Sequence, residues 1–159
     1  MESFFADCLQ RLTTMHAEME KAIAGLSLEA LDWSPGLEMN SMAVLVAHTA
    51  GAERYWIGDV IGQDPSGRVR AQEFETAGLT ESALREKLQA ALAHSQGMLA
   101  ALSLDDLAQP RRSPRDGREV TAGWALAHAL EHTAVHTGHL QLMRQLWEQT
   151  QQKFRISWV

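Results

Sequence analysis

Four stretches of this sequence place their apolar residues three and four apart, and a chain patterned that way buries one stripe per helix by packing helix against helix. In the first stretch the stripe is Phe4, Phe5, Cys8, Leu9, Leu12, Met15, Met19, Ala22 and Ile23, which predicts a helix from about Ser3 to Ala24, stopped by Gly25. Asp32, Ser34, Pro35 and Gly36 then mark a connection with one short turn near Leu28 to Leu31. Behind Asn40 or Ser41 as N-cap, Met42, Leu45, His48, Thr49, Ala52, Tyr55, Trp56 and Val60 predict a second helix ending near Gly62. A polar loop opens at Asp64 and reaches Gly78. Thr80 caps a third helix, ending near Leu102, with Leu84, Leu88, Ala91, Leu92, Ser95, Met98 and Leu99 inward. After a loop from Arg111 to Val120 with an Asp116-Gly117 turn, Thr121 caps the fourth and longest helix, from Ala122 to about Gln149. No window alternates with period two, so strands are absent or confined to loops. The expectation is an all-α fold, one four-helix bundle domain spanning residues 1–159, a class whose cores carry metal and ligand sites built from facing helices.

Composition narrows the function classes. With 14 Lys and Arg against 20 Asp and Glu, the net charge of −6 repels phosphate backbones and anionic lipid, so neither nucleic acid nor a membrane is expected as a partner. The first twenty residues carry Asp7, Arg11, Glu18 and Glu20, which leaves no secretory leader core, and a cytoplasmic protein is expected. The single cysteine, Cys8, excludes an internal disulfide and a cysteine-rich zinc site, and its place on the first apolar stripe makes it a core residue.

Seven histidines stand beside that one cysteine. The fourth helix reads His128-Ala-Leu-Glu-His132-Thr-Ala-Val-His136-Thr-Gly-His139. At about 100° per residue, His132 and His136 each advance about 40°, and His139 returns to within about 20° of His128. All four share one face, bracketed by Ala125, Ala129, Val135, Leu140, Met143, Leu146 and Trp147. Burying an imidazole without partners costs about 1–3 kcal/mol, so the stripe demands either a hydrogen-bonded core or a metal. Residues four apart have Cβ atoms about 5–6 Å apart, and two such imidazoles converge readily on one ion, with His48 of a neighbouring helix as a third ligand. Three protein ligands leave coordination positions open, as catalytic sites do.

Other metal and nucleotide motifs are missing. Thr133 follows His132 where a zincin has its glutamate, and Ala129 and Thr133 stand three before His132 and His136 where di-iron bundles need glutamate. The glycines are too scattered for a phosphate loop.

Ser41-Met-Ala-Val-Leu-Val-Ala-His48 opening the second helix, Trp33-Ser-Pro35 before it, and His132-x-x-x-His136-Thr-Gly-His139-Leu in the fourth together make the sequence resemble the DinB/YfiT-like metalloenzyme superfamily, over almost the whole chain. The resemblance implies a divalent metal, usually zinc or nickel, between the second and fourth helices, on His48, His132 and His136. His128 lies one turn earlier and is an alternative mate for His132, but the Gly138-His139 pair follows His136 as it does in the family. His128 and His139 are then pocket or outer-shell groups, with core packing as the alternative. The resemblance also implies a thiol-dependent transferase or isomerase, in which the metal activates a low-molecular-weight thiol toward a small-molecule electrophile. A metal-dependent hydrolase and a non-catalytic metal-binding stress-response bundle are the other readings.

The periphery is less informative. Arg111, Arg112, Arg115 and Arg118 form a basic loop that is either solvated or a docking place for carboxylates. Trp56 and Trp124 are core residues or line the pocket mouth. Glu53 and Arg54 fall off the His48 face, which predicts exposure or an interface. Phe154, Ile156 and Trp158 make an apolar tail that packs on the bundle or on a second copy, and a homodimer is expected.

Overall fold

A computed structural model describes residues 1–156. The four long helices are α1 (Ser3–Ile23), α3 (Met42–Glu53), α5 (Glu81–Ala100) and α6 (Ala122–Ile156). Two short helices, α2 (Leu28–Asp32) and α4 (Arg70–Phe74), lie in the connections, and α3 continues in π-helical winding over Arg54–Ile61. A turn at Leu104–Ala108 and a hairpin of β1 (Pro110–Arg112) and β2 (Glu119–Thr121) lead into α6. The N-caps fall where hydroxyl side chains predict them: Ser41 accepts from the Val44 amide, Thr80 from Ala83 and Thr121 from Trp124, at 3.0–3.2 Å. Cys8 is buried in the core, and burial, aided by Asp7 and opposed by Arg11, pushes its thiol pKa up.

The apolar core comes in two halves. Phe5, Leu12, Trp56, Ile57, Leu99 and Leu126 belong to one, and Met19, Ile23, Met42, Val46, Leu88 and Leu140 to the other. The order in which each helix meets the two halves gives its direction: α1 and α6 run one way, α3 and α5 the other. Because α3 and α5 are parallel, the connection between them has to travel back along the bundle. It spends residues 62–80 doing so, and it lays α4 against α3 on the way.

Between the halves lies a layer of polar side chains contributed by all four helices. His16 sits between Leu12 and Met19 on α1, Ser95 between Ala91 and Leu99 on α5, and Thr133 and Thr137 between Ala129 and Leu140 on α6, all buried. From α3 come His48, Thr49 and Glu53. Glu53 takes hydrogen bonds from His16 Nε2 at 2.6 Å and Ser95 Oγ at 2.7 Å. The threonine hydroxyls return to carbonyls four residues back in their own helices, so they satisfy themselves.

Three expectations need correction. Glu53 is 1 % exposed, not at a surface, because α3 is walled in by α2, α5, α6 and the crossover, with His16 of α1 closing over Glu53, and eleven of its twelve residues are buried. The run Met42-Ala-Val-Leu-Val-Ala is apolar all round, which is the pattern of a central helix, not of a one-stripe helix. Val135 lies on the exposed side of α6, and α6 continues past Gln149 to Ile156. The apolar tail bearing the homodimer expectation, Phe154 to Trp158, runs past the described side chains, and Trp158 lies outside the described residues.

Candidate metal centre

The layer's open edge lies between α3 and α6, and there the structure brings His48, His132 and His136 together. One ring nitrogen from each lies within 4.8 Å of the others. His132 and His136 are successive turns of α6, their rings 4.4 Å apart, and His48 meets them across the helix seam at 4.9 and 5.2 Å. His48 is buried, while the other two are half-buried, so the cluster is reachable from solvent.

Hydrogen bonding fixes which nitrogen faces inward. His48 Nδ1 donates to Glu73 Oε2 at 2.9 Å, which leaves the Nε2 lone pair pointing at His132 Nε2, 3.1 Å away. Burial pushes the Glu73 carboxyl up, but hydrogen bonds and charge from Arg68 and His48 outweigh it and hold the group below the usual range, ionised and accepting. His132 Nδ1 is buried without a partner among the described residues. Burial, reinforced by the neighbouring imidazoles, lowers the pKa of His132 to about 3 and that of His136 to about 4. His132 and His136 are therefore neutral near pH 7, and three imidazoles held this close could hold a divalent cation. Anionic ligands that would favour magnesium or calcium are not part of the cluster.

The same pKa values set the acid stability of the metal-free protein. In the unfolded chain these histidines titrate near 6.5, so as pH falls the unfolded state takes up protons first and gains on the folded one. Stability from this source is complete above about pH 6.5 and declines toward about 4 and then 3. Melting of the metal-free protein is expected to move down steadily between pH 6.5 and 5, before the ordinary carboxylates titrate; a flat profile there would contradict neutral, buried rings.

Glu73 is the functional residue that sequence reading missed. It stands in α4, within the stretch taken for a featureless polar loop, and is clamped by Arg68, whose Nη2 donates to Oε2 at 2.7 Å and whose Nε donates to Oε1. Gly51, one turn past His48, gives the carboxylate its room: a Cβ there would lie 2.1 Å from Glu73 Oε1. The glycine is legible in sequence, but not the partner that needs it. A carboxylate behind a ligating imidazole fixes its tautomer and raises its basicity. Glu73→Ala is expected to weaken cobalt(II) binding about 10–100-fold in competition with a chelating dye. Glu73→Gln should cost less, since its amide oxygen still accepts from His48.

The flanking histidines divide. His139 is exposed and its Nδ1 lies 3.3 Å from His136 Nδ1. His128 is half-buried, stacked on Trp124 at 5.0 Å and 10° and edge-on to Trp56, with its ring 6.0 Å from that of His132. Burial lowers its pKa. Trp56 is core, whereas Trp124 is 41 % exposed and carries the Arg118 guanidinium 4.4 Å from its ring centre. Of the basic loop, the Arg111 side chain donates to the Ile61 carbonyl and the Arg115 backbone amide donates to the Tyr55 hydroxyl, so the loop is tied to the helix at these two points.

The model of the mycothiol-S-transferase family matches residues 8–149. Among solved structures, a conserved protein from Enterococcus faecalis superposes with a TM-score of 0.77 at 15 % identity, over 92 % of this chain and 98 % of that one. A DinB-like protein from Bacillus subtilis gives 0.66 at 18 % identity, over 87 % and 90 %. A mycothiol-dependent maleylpyruvate isomerase gives 0.64 at 18 % identity, over 88 % of this chain and 63 % of that one. At these identities the likeness is one of fold. No curated protein matches the sequence.

Proposed function

The chain belongs to the mycothiol-S-transferase family, and from that premise we propose that it is a metal-dependent thiol S-transferase, with His48, His132 and His136 holding a zinc or nickel ion. The observation that carries this reading is the convergence of three imidazoles at an accessible edge of the bundle, with the single cysteine elsewhere in the core. A divalent cation there supplies Lewis acidity that lowers the pKa of a bound thiol.

The chain's own residues do the rest. Arg68 holds Glu73, Glu73 holds the His48 tautomer, and burial keeps His132 and His136 uncharged and free to ligate. Cys8 is buried with a raised pKa and supplies no nucleophile, so the sulfur comes from a low-molecular-weight thiol. In the overall reaction that sulfur bonds to a carbon of a small-molecule electrophile, the leaving group departs with its bonding electrons, and the thiol proton passes to solvent. No helix among the described residues is long and apolar enough to cross a membrane, and a reaction that consumes free thiol suits the reducing cytoplasm.

The test is to load the protein with zinc or nickel and offer mycothiol, bacillithiol or glutathione with an alkyl halide, beside a panel of esters and amides. Thiol consumption that requires both metal and protein is expected. Ester or amide hydrolysis without thiol would overturn S-transfer in favour of a hydrolase, and no turnover with any pair would favour a non-catalytic metal-binding bundle.

A further inference from the structure

Two arginines stand beside the histidine cluster without an acid to hold them. Arg70, in α4, lies over the Phe74 ring at 4.6 Å, and that ring is 4.8 Å from the ring of His48. Arg118, just before β2, lies over the Trp124 ring at 4.4 Å; Trp124 stacks on His128, whose ring is 6.0 Å from that of His132. The two guanidinium groups therefore approach the cluster by different histidines.

Both arginines are exposed. Neither forms an ion pair among the described residues, whereas Arg68 and Arg115 are paired with Glu73 and Asp116. Glu131 stands at the same edge, its Oε2 4.0 Å from His128 Nδ1, but its side chain is 77 % exposed and screened by water. An anion repelled by the chain as a whole, at −6, meets two cations here. Lying over a ring restrains a long side chain that would otherwise sweep through water, and it leaves the N–H donors at the edge of the guanidinium free. Those donors match a carboxylate, two N–H groups to two oxygens.

We propose that Arg70 and Arg118 recognise carboxylates of the thiol, so that the sulfur donor of this protein is an acidic thiol with a carboxylate for each arginine, not an uncharged one. The assignment rests on the S-transfer reading above. The thiol is the cosubstrate whose sulfur comes to the histidine cluster, and a molecule anchored there by its sulfur is placed to reach an arginine on either approach. Neither arginine touches the sulfur. Both set which thiol is seated and leave the bond-making step as it is.

The experiment titrates the full chain, loaded with cobalt(II), with glutathione, which carries two carboxylates, and with glutathione diethyl ester, which carries none, following thiolate-to-cobalt absorption. The acid is expected to bind at least about tenfold more tightly than the ester, with the advantage shrinking as salt rises. Arg118→Ala and Arg70→Ala should each weaken binding of the acid about three- to tenfold and leave the ester unchanged, and the double variant should bind the two alike. Arg112→Ala, the same charge change at another exposed arginine of the loop, should keep the preference. Cobalt content should match the parent throughout. In turnover with benzyl chloride the loss should appear in KM for the acidic thiol, with kcat kept.

In a protein that transfers thiols, equal affinity for acid and ester, tighter binding of mycothiol, which has no carboxylate, or a preference that survives in the double variant would overturn the arginine assignment alone. A double variant that raises KM for p-(chloromethyl)benzoate and not for glutathione would give the carboxylate to the electrophile, and the thiol assignment would fall. Arginine-dependent binding of glutathione with no thiol consumed by any electrophile would overturn the S-transfer reading and leave the carboxylate site standing. No thiol binding at all to the cobalt-loaded protein would overturn both.

Discussion

His132→Ala and His48→Ala are each expected to bring zinc or nickel in protein purified without a histidine tag below about a tenth of an equivalent, against near-stoichiometric metal in the parent. The reasoning is geometric. Three protein nitrogens within 4.8 Å of one another leave no redundancy, and removing one leaves two imidazoles with nothing else in the cluster to complete the set. Loss of an orienting partner alone costs about 10–100-fold in affinity, and loss of a ligand exceeds that. The same experiment has a second readout. At metal concentrations about a hundredfold over Kd, binding stabilises the folded state by about 2.7 kcal/mol. In a chain of this size each kcal/mol shifts Tm by about 2–4 °C, so added metal should raise the parent's Tm by about 5–11 °C and leave the variants unmoved. The metal-free His132→Ala variant should melt within a few degrees of the metal-free parent, since His132 Nδ1 has no partner among the described residues to lose. Retention of a full equivalent of tightly held metal by His132→Ala would overturn the ligand assignment.

The largest effect on stability is expected away from that cluster, at Glu53. Its carboxylate lies wholly inside the bundle and ties α1 to α5 through His16 and Ser95. Breaking a buried pair by removing one member typically costs about 3–5 kcal/mol, because the other member stays behind unsatisfied. Glu53→Ala should therefore lower Tm by about 6–20 °C. The penalty belongs to the stranded groups more than to the lost attraction, so replacing all of them should remove most of it. The triple variant Glu53→Met, His16→Leu, Ser95→Ala is expected to recover at least half of the loss, with metal uptake unchanged, as none of the three touches His132 or His136. A Glu53→Ala protein that unfolds in denaturant within about 1 kcal/mol of the parent would show that the network contributes little.

Much of this was readable from the chain alone. The helices and their hydroxyl caps follow from local rules, since a Ser or Thr ahead of an apolar-periodic run needs nothing distant to act as a cap. His132 and His136 are likewise local, four apart on one helix, and His48 needs only the assumption that the second and fourth helices face each other. The failures came where the answer depended on a third element. Glu53 is buried because α3 has neighbours on every side, and its angle from His48 carries no word of them. His16 was there to be noticed, four residues after Leu12 and three before Met19, on the first apolar stripe. Glu73 reaches His48 only because parallel α3 and α5 force a long crossover, and nothing in residues 62–80 announces where that crossover will lie.

The polar layer between the two apolar halves also bears on how the helices find their alignment. Leu, Met and Ala stripes alone are nearly indifferent to a slide of one turn, about 5.4 Å, because one apolar residue replaces another. Here such a slide would press His16, Glu53 or Ser95 into an apolar half and pull them from one another. The layer thus acts as a notch that admits one register of the four helices. That is the register in which His48 stands level with His132 and His136.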